Sequence, residues 1–390
     1  MYASIHLRDL EILVAISSHP TIRLAAREVV YVGVYFHYPV AVSRQRDLND
    51  PDFYQDEDEM QPRDVLYNCT EFYNARLREQ EETRKSAYDL TVISAALAGM
   101  PNVRTFILRN TSFRSVPSHR SHFSQAMRPI GISLRIEEGV HAYEPFDYGF
   151  QIMCKAASIS GRQIEKFQVD YEGRDVFFHG LIGEDYGLLH VSFICPSGDL
   201  EHYCNTFRHL YTARLRIYNP GRQHHIFEAG NLPMILAAAT DLEEMEVIVV
   251  NEMEKVTFAE VSSTHTWSHL RLLYLKGVEM TSEEVIGFVR RHSRTLKTLR
   301  LRNVLLKERW EGAALRLRRL RCPSLTTVIC GRLYEVGRKS KVLGSEVSNC
   351  ILGLEYGSFY THAKSSYEHN GDNGIALDHN DLSVDPDNDW

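Results

Sequence analysis

Four thiol and imidazole side chains lie close together in the sequence, at Cys195, His202, Cys204 and His209. Thiolates and imidazoles are the donors that zinc prefers in proteins, and structural zinc sites place them at short, recognisable spacings. The spacing here matches no such pattern, and Cys204 and His209 flank a segment with the pattern of a strand. We therefore predict no metal site and expect these residues to belong to the scaffold.

Catalytic signatures that can be recognised locally are absent from the sequence. The chain contains no G-x-x-x-x-G-K before Ser or Thr, and no G-x-G-x-x-G, G-x-S-x-G or H-E-x-x-H segment. These segments mark phosphate loops, dinucleotide folds, hydrolases and zinc proteases. A catalytic triad built from distant residues would leave no such mark. We predict that the protein is not an enzyme and uses no cofactor.

Basic residues are concentrated in the stretch 290–321 of a chain that is acidic overall. The formal net charge of the 390 residues is −7, whereas this stretch holds twelve arginines or lysines and two glutamates. Binding of nucleic acid or of a phosphate ligand through this stretch is therefore an alternative function. Trp310 is the only aromatic residue in the stretch, whereas proteins that bind single strands stack bases on several aromatics.

A repeated leucine pattern predicts the elements that position these side chains. Leu270, Leu273 and Leu275 recur 26 residues later, with a helical segment between the two copies. L-x-x-L-x-L followed by a helix is the unit of leucine-rich repeats. Degenerate copies begin at residues 103, 164, 210, 242, 270, 296 and 325, and their spacing is regular only in the C-terminal half.

The segment between the two best copies carries a helix start signal. Thr281 and Glu284 have the spacing of a capping box, and Met280 and Val285 stand at the positions of a hydrophobic staple. We predict a helix that begins after Thr281 and runs to about Ser293.

These patterns predict an α/β fold: a curved, leucine-rich-repeat-like solenoid of irregular strand–helix repeats with its strands on the concave face. Residues 1–40 are expected to form an N-terminal capping helix–strand unit, and 41–63 an acidic loop. The solenoid is placed at 64–335 and a C-terminal capping segment at 336–361. Residues 362–390 are expected to be a disordered acidic tail.

Cysteine usage and hydropathy bear on the compartment. The seven cysteines are scattered without a C-x-x-C pair, which is typical of chains that work in a reducing environment. No signal-peptide pattern precedes the first helical segment, and no apolar run approaches the ~18 residues of a membrane helix. The sequence predicts an intracellular protein, cytoplasmic or nuclear.

Three segments, 7–32, 93–108 and 267–304, resemble the F-box/leucine-rich-repeat-like proteins of filamentous fungi, and the similarity runs from about residue 7 to 330. The resemblance implies a substrate receptor of an SCF-type ubiquitin ligase, in which an F-box binds the ligase adaptor and the repeats bind the target. No L-P-x-E segment followed by Leu or Ile precedes Leu7. We therefore expect this chain not to bind the adaptor.

The predicted strands also indicate which side chains could bind a partner. Side chains alternate along a strand, so the residues between and just after the inward pair point to the concave face. In the later units these include a tyrosine and five cations, for which we predict a protein partner with an acidic segment: Arg214, Arg216, Tyr274, Lys276, Arg300 and Arg302. Arginine and tyrosine are enriched at interface hot spots. Alternatively, the cations are solvated, or they pair with Glu246 or with the chain's own acidic tail.

Overall fold

The computed structural model describes residues 2–32, 63–110, 144–171, 187–218, 230–250, 256–262, 264–336, 342–355 and 357–360. The acidic loop predicted at 41–63, apart from its last residue, and the acidic tail predicted at 362–390 lie outside the described residues.

The described chain contains both strands and helices throughout its length. The strands are β1 (Tyr2–Ala3), β2 (Glu28–Val32), β3 (Thr105–Asn110), β4 (Lys166–Tyr171), β5 (Leu188–Leu189), β6 (Thr212–Tyr218), β7 (Glu244–Val250), β8 (Val256–Thr257), β9 (Leu272–Lys276), β10 (Val278–Met280), β11 (Thr298–Arg302), β12 (Leu305–Leu306), β13 (Thr327–Gly331) and β14 (Tyr334–Glu335). The helices are α1 (Leu7–Ser18), α2 (Ile22–Ala25), α3 (Arg63–Lys85), α4 (Tyr88–Gly99), α5 (Glu144–Ser160), α6 (Ser197–Phe207), α7 (Leu232–Ala238), α8 (Phe258–Val261), α9 (Ser282–Arg291), α10 (Trp310–Arg319) and α11 (Gly344–Leu352).

Ten of these strands form one sheet, in which every described pairing is parallel. Its order, β1-β2-β3-β4-β6-β7-β9-β11-β13 with β5 beside β6, follows the order of the chain. Each connection therefore crosses to the next strand in the same direction, and right-handed crossovers of this kind place their helices on one face. The burial of the strand residues agrees with helices on one face only, because buried and half-buried residues alternate along β6, β9 and β11. The predicted α/β class is confirmed.

The leucine pattern marks the residues that fill the core between sheet and helices. The first positions of six copies are at most 1% exposed: Val103, Ile164, Leu210, Leu242, Leu270 and Leu296. The inward pairs of the two best copies are equally buried: Leu273, Leu275, Leu299 and Leu301. The last copy is looser, since Leu325 is only partly buried. The predicted strand register is therefore confirmed where the pattern is strongest.

Helix α9 begins as its start signal predicts. Thr281 Oγ1 accepts the Glu284 amide at 3.2 Å, and Glu284 Oε2 accepts the Thr281 amide at 2.6 Å. The helix ends at Arg291, two residues before the predicted end. The following unit adds a second cap, because Glu308 Oε2 accepts the amide of Ser282 at 2.7 Å. Neighbouring units are thus joined through polar contacts as well as through their apolar core.

A second, small parallel sheet was not predicted. It consists of β14, β12, β10 and β8, in that order. Strands β10, β12 and β14 each begin within three residues of the end of the main-sheet strand that precedes them, which is β9, β11 or β13. The chain turns between the two sheets at Gly277, Asn303 and Arg332, which have φ of 76°, 52° and 51°. Strands of two or three residues are too short to show a period-two pattern, which is why the sequence did not indicate them.

Helix α11 covers the outer edge of the main sheet. The amide of Cys330 in β13 donates to Ser348 Oγ at 3.0 Å. Gly344 lies so close to this strand that a Cβ at its position would be 2.0 Å from the carbonyl oxygen of Cys330. A sheet edge that is covered in this way is not available for pairing with another chain.

His292 ties the end of α9 to the core. Its Nε2 accepts the backbone N–H of Trp267 at 3.1 Å, so the proton of the neutral ring lies on Nδ1, which donates to the Phe288 carbonyl at 2.9 Å. The ring is 1% exposed and lies nearly parallel to the Trp267 indole, with centroids 5.9 Å apart. Burial lowers the pKa of His292 below its ordinary value.

None of the described helices combines the length and the apolar character that crossing a membrane requires.

The close approach at β13 gives a paired glycine prediction. Gly344→Ala should destabilise the protein by about 1–3 kcal/mol, because the new methyl group overlaps the Cys330 carbonyl. Gly312→Ala is the control, since Gly312 lies in α10 with no atom within 4 Å of its Cβ position. It should stabilise the protein by roughly 0.5–1 kcal/mol through helix propensity. Urea unfolding of both variants measures the difference, and equal stabilities would contradict the described edge contact.

The alternation of β11 and β13 predicts that truncating a side chain destabilises the protein far more on one face of the sheet than on the other. Leu299→Ala should cost about 2–5 kcal/mol, because Leu299 is fully buried in the core. Ile329→Ala, at a residue on the other face that is 41% exposed, should cost far less. Thermal melts of the two variants test this, and an unchanged melting temperature for Leu299→Ala would show the register to be wrong.

The depressed pKa of His292 predicts a loss of stability in mild acid. The unfolded chain takes up its proton near pH 6.5, whereas the folded ring must lose its bond to Trp267 to do so. Unfolding therefore becomes easier as the pH falls below about 6.5, because the unfolded state binds more protons. His292→Gln removes this titration, and its melting temperature should depend less on pH over the same range. Parallel pH profiles of the two proteins would contradict the assignment.

Candidate functional site

The face of the main sheet opposite the helices is accessible only over part of its width. In the middle of β2 and β3 this face is buried, with Val30 at 2% and Ile107 at 8% exposed. From β6 to β13 its residues are half-buried or exposed, with the glutamates and cations among them. We call this part the open face, and it consists of Thr212, Arg214, Arg216, Glu244, Glu246, Ile248, Leu272, Tyr274, Lys276, Thr298, Arg300, Arg302, Thr327, Ile329 and Gly331.

Strand register brings the six predicted binding residues together in two adjacent rows. The first row runs across the strands as Arg214, Glu246, Tyr274, Arg300 and Ile329. The second row lies two residues further along each strand, as Arg216, Ile248, Lys276, Arg302 and Gly331. Neighbouring strands are about 4.8 Å apart. Tyr274, Lys276, Arg300 and Arg302 therefore form a compact group on β9 and β11.

Two carboxylates balance the charge of Arg214. Its Nη2 lies 3.3 Å from Glu244 Oε2, and its Nε lies 3.3 Å from Glu246 Oε1. The pairing with Glu246 is one of the alternatives that the sequence left open. Glu244 was missed, although it stands two residues before Glu246 and so faces the same side of the strand. Arg214 adds little net charge to the open face.

The carboxyl of Glu246 lies in the middle of the first row and is 18% exposed. Burial raises the pKa of Glu246, while the positive charge of Arg214 opposes the shift. The charge of Arg300 acts in the same direction as that of Arg214. Glu246 thus lowers the formal charge of the first row from +2 to +1.

Tyr274 is a hydrogen-bonding group at the centre of the open face. Burial raises the pKa of its phenol above the ordinary value, so the group stays protonated at neutral pH. The Arg302 guanidinium donates a hydrogen bond to the phenol oxygen. The O–H of Tyr274 is itself a donor, suited to a carboxylate or carbonyl oxygen of a ligand.

The second row contains three cations and no acidic residue: Arg216, Lys276 and Arg302. Counted over the whole open face, five cations stand against two glutamates, a formal charge of +3 in a chain whose net charge is −7. Neither glutamate lies in the second row, whereas three of the five cations do.

The basic stretch 290–321 does not form one surface. Arg300 and Arg302 lie on the open face, whereas Arg316 in α10 pairs with Glu283 of α9 on the helical side of the molecule. Lys307 pairs with Glu279 at 3.2 Å. The cations that are consecutive in sequence are thus divided between the two sides of the sheet.

The thiol and imidazole group of the sequence is dispersed around α6. His202 Nδ1 lies 2.9 Å from Ser158 Oγ, and Cys195 Sγ accepts a hydrogen bond from Asn231 at 3.4 Å. Among the described residues, no three side chains of His, Cys, Asp or Glu come together in a way that could hold a metal ion. Burial raises the pKa of Cys195 and of Cys204, which is the opposite of the shift that activates a nucleophilic thiol.

Comparison with known proteins adds no support to the family resemblance noted in the sequence. No protein-family model matches the chain, and no curated protein matches it in sequence. The open face itself is therefore the basis for an interpretation of function.

Proposed function

We propose that the protein is a non-enzymatic scaffold that binds a partner protein through the open face of its sheet. The observation that carries the proposal is the group of Tyr274, Lys276, Arg300 and Arg302, four hydrogen-bond donors placed side by side by the register of β9 and β11. Guanidinium groups bind carboxylates through two parallel hydrogen bonds. The partner segment proposed here is accordingly acidic.

We further propose that the sheet is the concave surface of a leucine-rich-repeat-like solenoid. Packed helices stand 8–10 Å apart, roughly twice the spacing of adjacent strands. A layer with helices on one face therefore bends toward its strands. Solenoids bind partners on their concave surfaces, because the curvature lets several repeats contact one ligand.

The resemblance to F-box/leucine-rich-repeat-like proteins suggests a role in selecting targets for a ubiquitin ligase. In that role the open face would hold the target.

Charge reversal on the open face tests the proposed function. The partner would first be isolated by affinity purification with the wild-type chain and then measured against purified variants. Arg300→Glu combined with Arg302→Glu should weaken its binding at least tenfold, or about 1.4 kcal/mol. Melting should change little, since both side chains point away from the core.

Arg309→Glu combined with Arg319→Glu is the matched control, because both residues are exposed, at the two ends of α10, and carry the same charge. This control should bind the partner like the wild type. If both double variants lost binding equally, the loss would be due to the change in net charge and not to the open face. That result would contradict the proposal. If competitor nucleic acid displaced the partner with a steep salt dependence, the alternative function would be favoured instead.

A further inference from the structure

Six exposed basic residues lie together at the edge where the helices end and the strands of the main sheet begin. We call this group the helical basic surface: Arg290, Arg291, Arg294, Lys297, Arg319 and Arg321. The last turn of α9 and the turn that leads to β11 supply four of them, and the end of α10 supplies the other two. None of the six forms an ion pair with a described residue.

Two neighbouring turns hold this surface together. Ser324 Oγ, in the turn after α10, donates to the Arg294 carbonyl at 2.6 Å. The amides of Thr326 and Thr327 both donate to the Lys297 carbonyl at 3.0 Å. Because the strands are parallel, α9 and α10 end at the same edge of the sheet, and packed helices stand about 8–10 Å apart. The six basic side chains therefore belong to one continuous surface across two units.

Acidic residues of the same two units lie at the opposite ends of the helices. The sequence contains no Asp or Glu between Glu284 and Glu308, or between Glu311 and Glu335. Glu284 and Glu311 lie in the first turns of α9 and α10, and the other two accept amides at the starts of these helices. A helix of ten residues is about 15 Å long, whereas charges in 0.1 M salt are screened over about 10 Å.

The adjoining units add one acidic residue at this edge. The segment 262–271, which leads to β9, contains no Asp or Glu, and the segment after α11 contains the exposed Glu355. Six cations thus stand against one carboxylate, a formal charge of +5 in a chain whose net charge is −7. An anion near this surface is attracted by it, because the chain's other charges are largely screened.

The helix dipole accounts for only half of these cations. It favours positive charge in the last turn of a helix, and its effect ends there. Arg294, Lys297 and Arg321 lie beyond the ends of α9 and α10. Arg321 also has a φ of 46°, a left-handed conformation for which glycine is usual after a helix end. The positive charge thus extends past the positions at which it stabilises the helices.

The surface offers charge and hydrogen-bond donors but little apolar area. Among the described residues at this edge of the last three units, Leu354 is the one large apolar side chain that is exposed. Protein interfaces depend on a core of aromatic and apolar side chains, membrane-bound helices insert apolar residues, and single strands stack on aromatics. A nucleic-acid duplex is contacted through its phosphates, which arginine binds with two hydrogen bonds.

We propose that the helical basic surface binds the phosphate backbone of double-stranded nucleic acid without reading its base sequence. A duplex carries one negative charge per about 1.7 Å of its axis. Two helix ends about 10 Å apart therefore face roughly six of these charges. The open face lies on the other side of the sheet, so the duplex and the acidic partner occupy separate surfaces.

The test measures the fluorescence anisotropy of a labelled DNA duplex of mixed sequence, about 20 base pairs long, at several salt concentrations. With four phosphates contacted, log K should fall with log salt at a slope of about −3.6. Arg294→Glu combined with Arg319→Glu should weaken binding at least tenfold and flatten this slope by about 2. Arg300→Glu combined with Arg302→Glu changes the net charge equally on the open face, and this control should bind the duplex like the wild type.

Arg321→Gly separates binding from folding. Glycine adopts the left-handed conformation at this position without strain, so the melting temperature should rise. Loss of one phosphate contact should flatten the salt slope by about 1. Weaker duplex binding by a more stable protein cannot be a consequence of unfolding.

Three results would each overturn the proposal: no duplex binding at about 50 mM salt, equal loss of binding in the two double variants, or binding to phosphatidylserine vesicles without binding to the duplex. Unchanged duplex affinity in Arg294→Glu with Arg319→Glu would do the same. No partner protein enters these measurements, so a failure here is separate from a failure of the proposed function.

Discussion

The burial of alternate strand residues against one layer of helices is the constraint on which the rest of the structure depends. Leu273 and Leu299 are register partners on neighbouring strands, as are Leu275 and Leu301, and all four are inside. A shift of one residue would exchange every inward leucine for an outward arginine, lysine or tyrosine. Burying those charges without partners would cost several kcal/mol each. Burial of the leucines in the apolar core therefore determines which side chains lie on the open face.

Contacts between successive units keep this register in place. Glu308 accepts the first amide of α9, and Glu335 accepts the amide of Trp310 at the start of α10 at 2.7 Å. Each carboxylate belongs to the unit that follows the helix it caps, and a negative charge at a helix start is also favoured by the helix dipole. Gly277 adds a steric constraint, since a Cβ there would lie 2.0 Å from the Val249 carbonyl oxygen. Sliding one unit along its neighbour would break these contacts together.

The same register sorts the charges of the open face. Glu244 and Glu246 lie beside Arg214 and neutralise it, whereas Arg216, Lys276 and Arg302 share a row that contains no acid. The result is a row of cations toward the C-terminal ends of the strands. A long-range arrangement of this kind arises because parallel strands with equal spacing stack equivalent positions side by side.

The sequence by itself determined the strands of the strongest repeats, the residues that they bury, and the six side chains that face outward. These features follow from a period of two along a short segment, which is local information. It also determined the start of α9, because a capping box involves residues three apart. Only the tertiary structure decided that Arg214 is paired with Glu244, that a second sheet follows the turns at Gly277, Asn303 and Arg332, and that α11 covers the edge at Cys330. The contacts of Arg214 and Cys330 join residues 14 to 30 positions apart in the sequence. The degenerate spacing of the repeats does not show which residues meet until the strands are aligned.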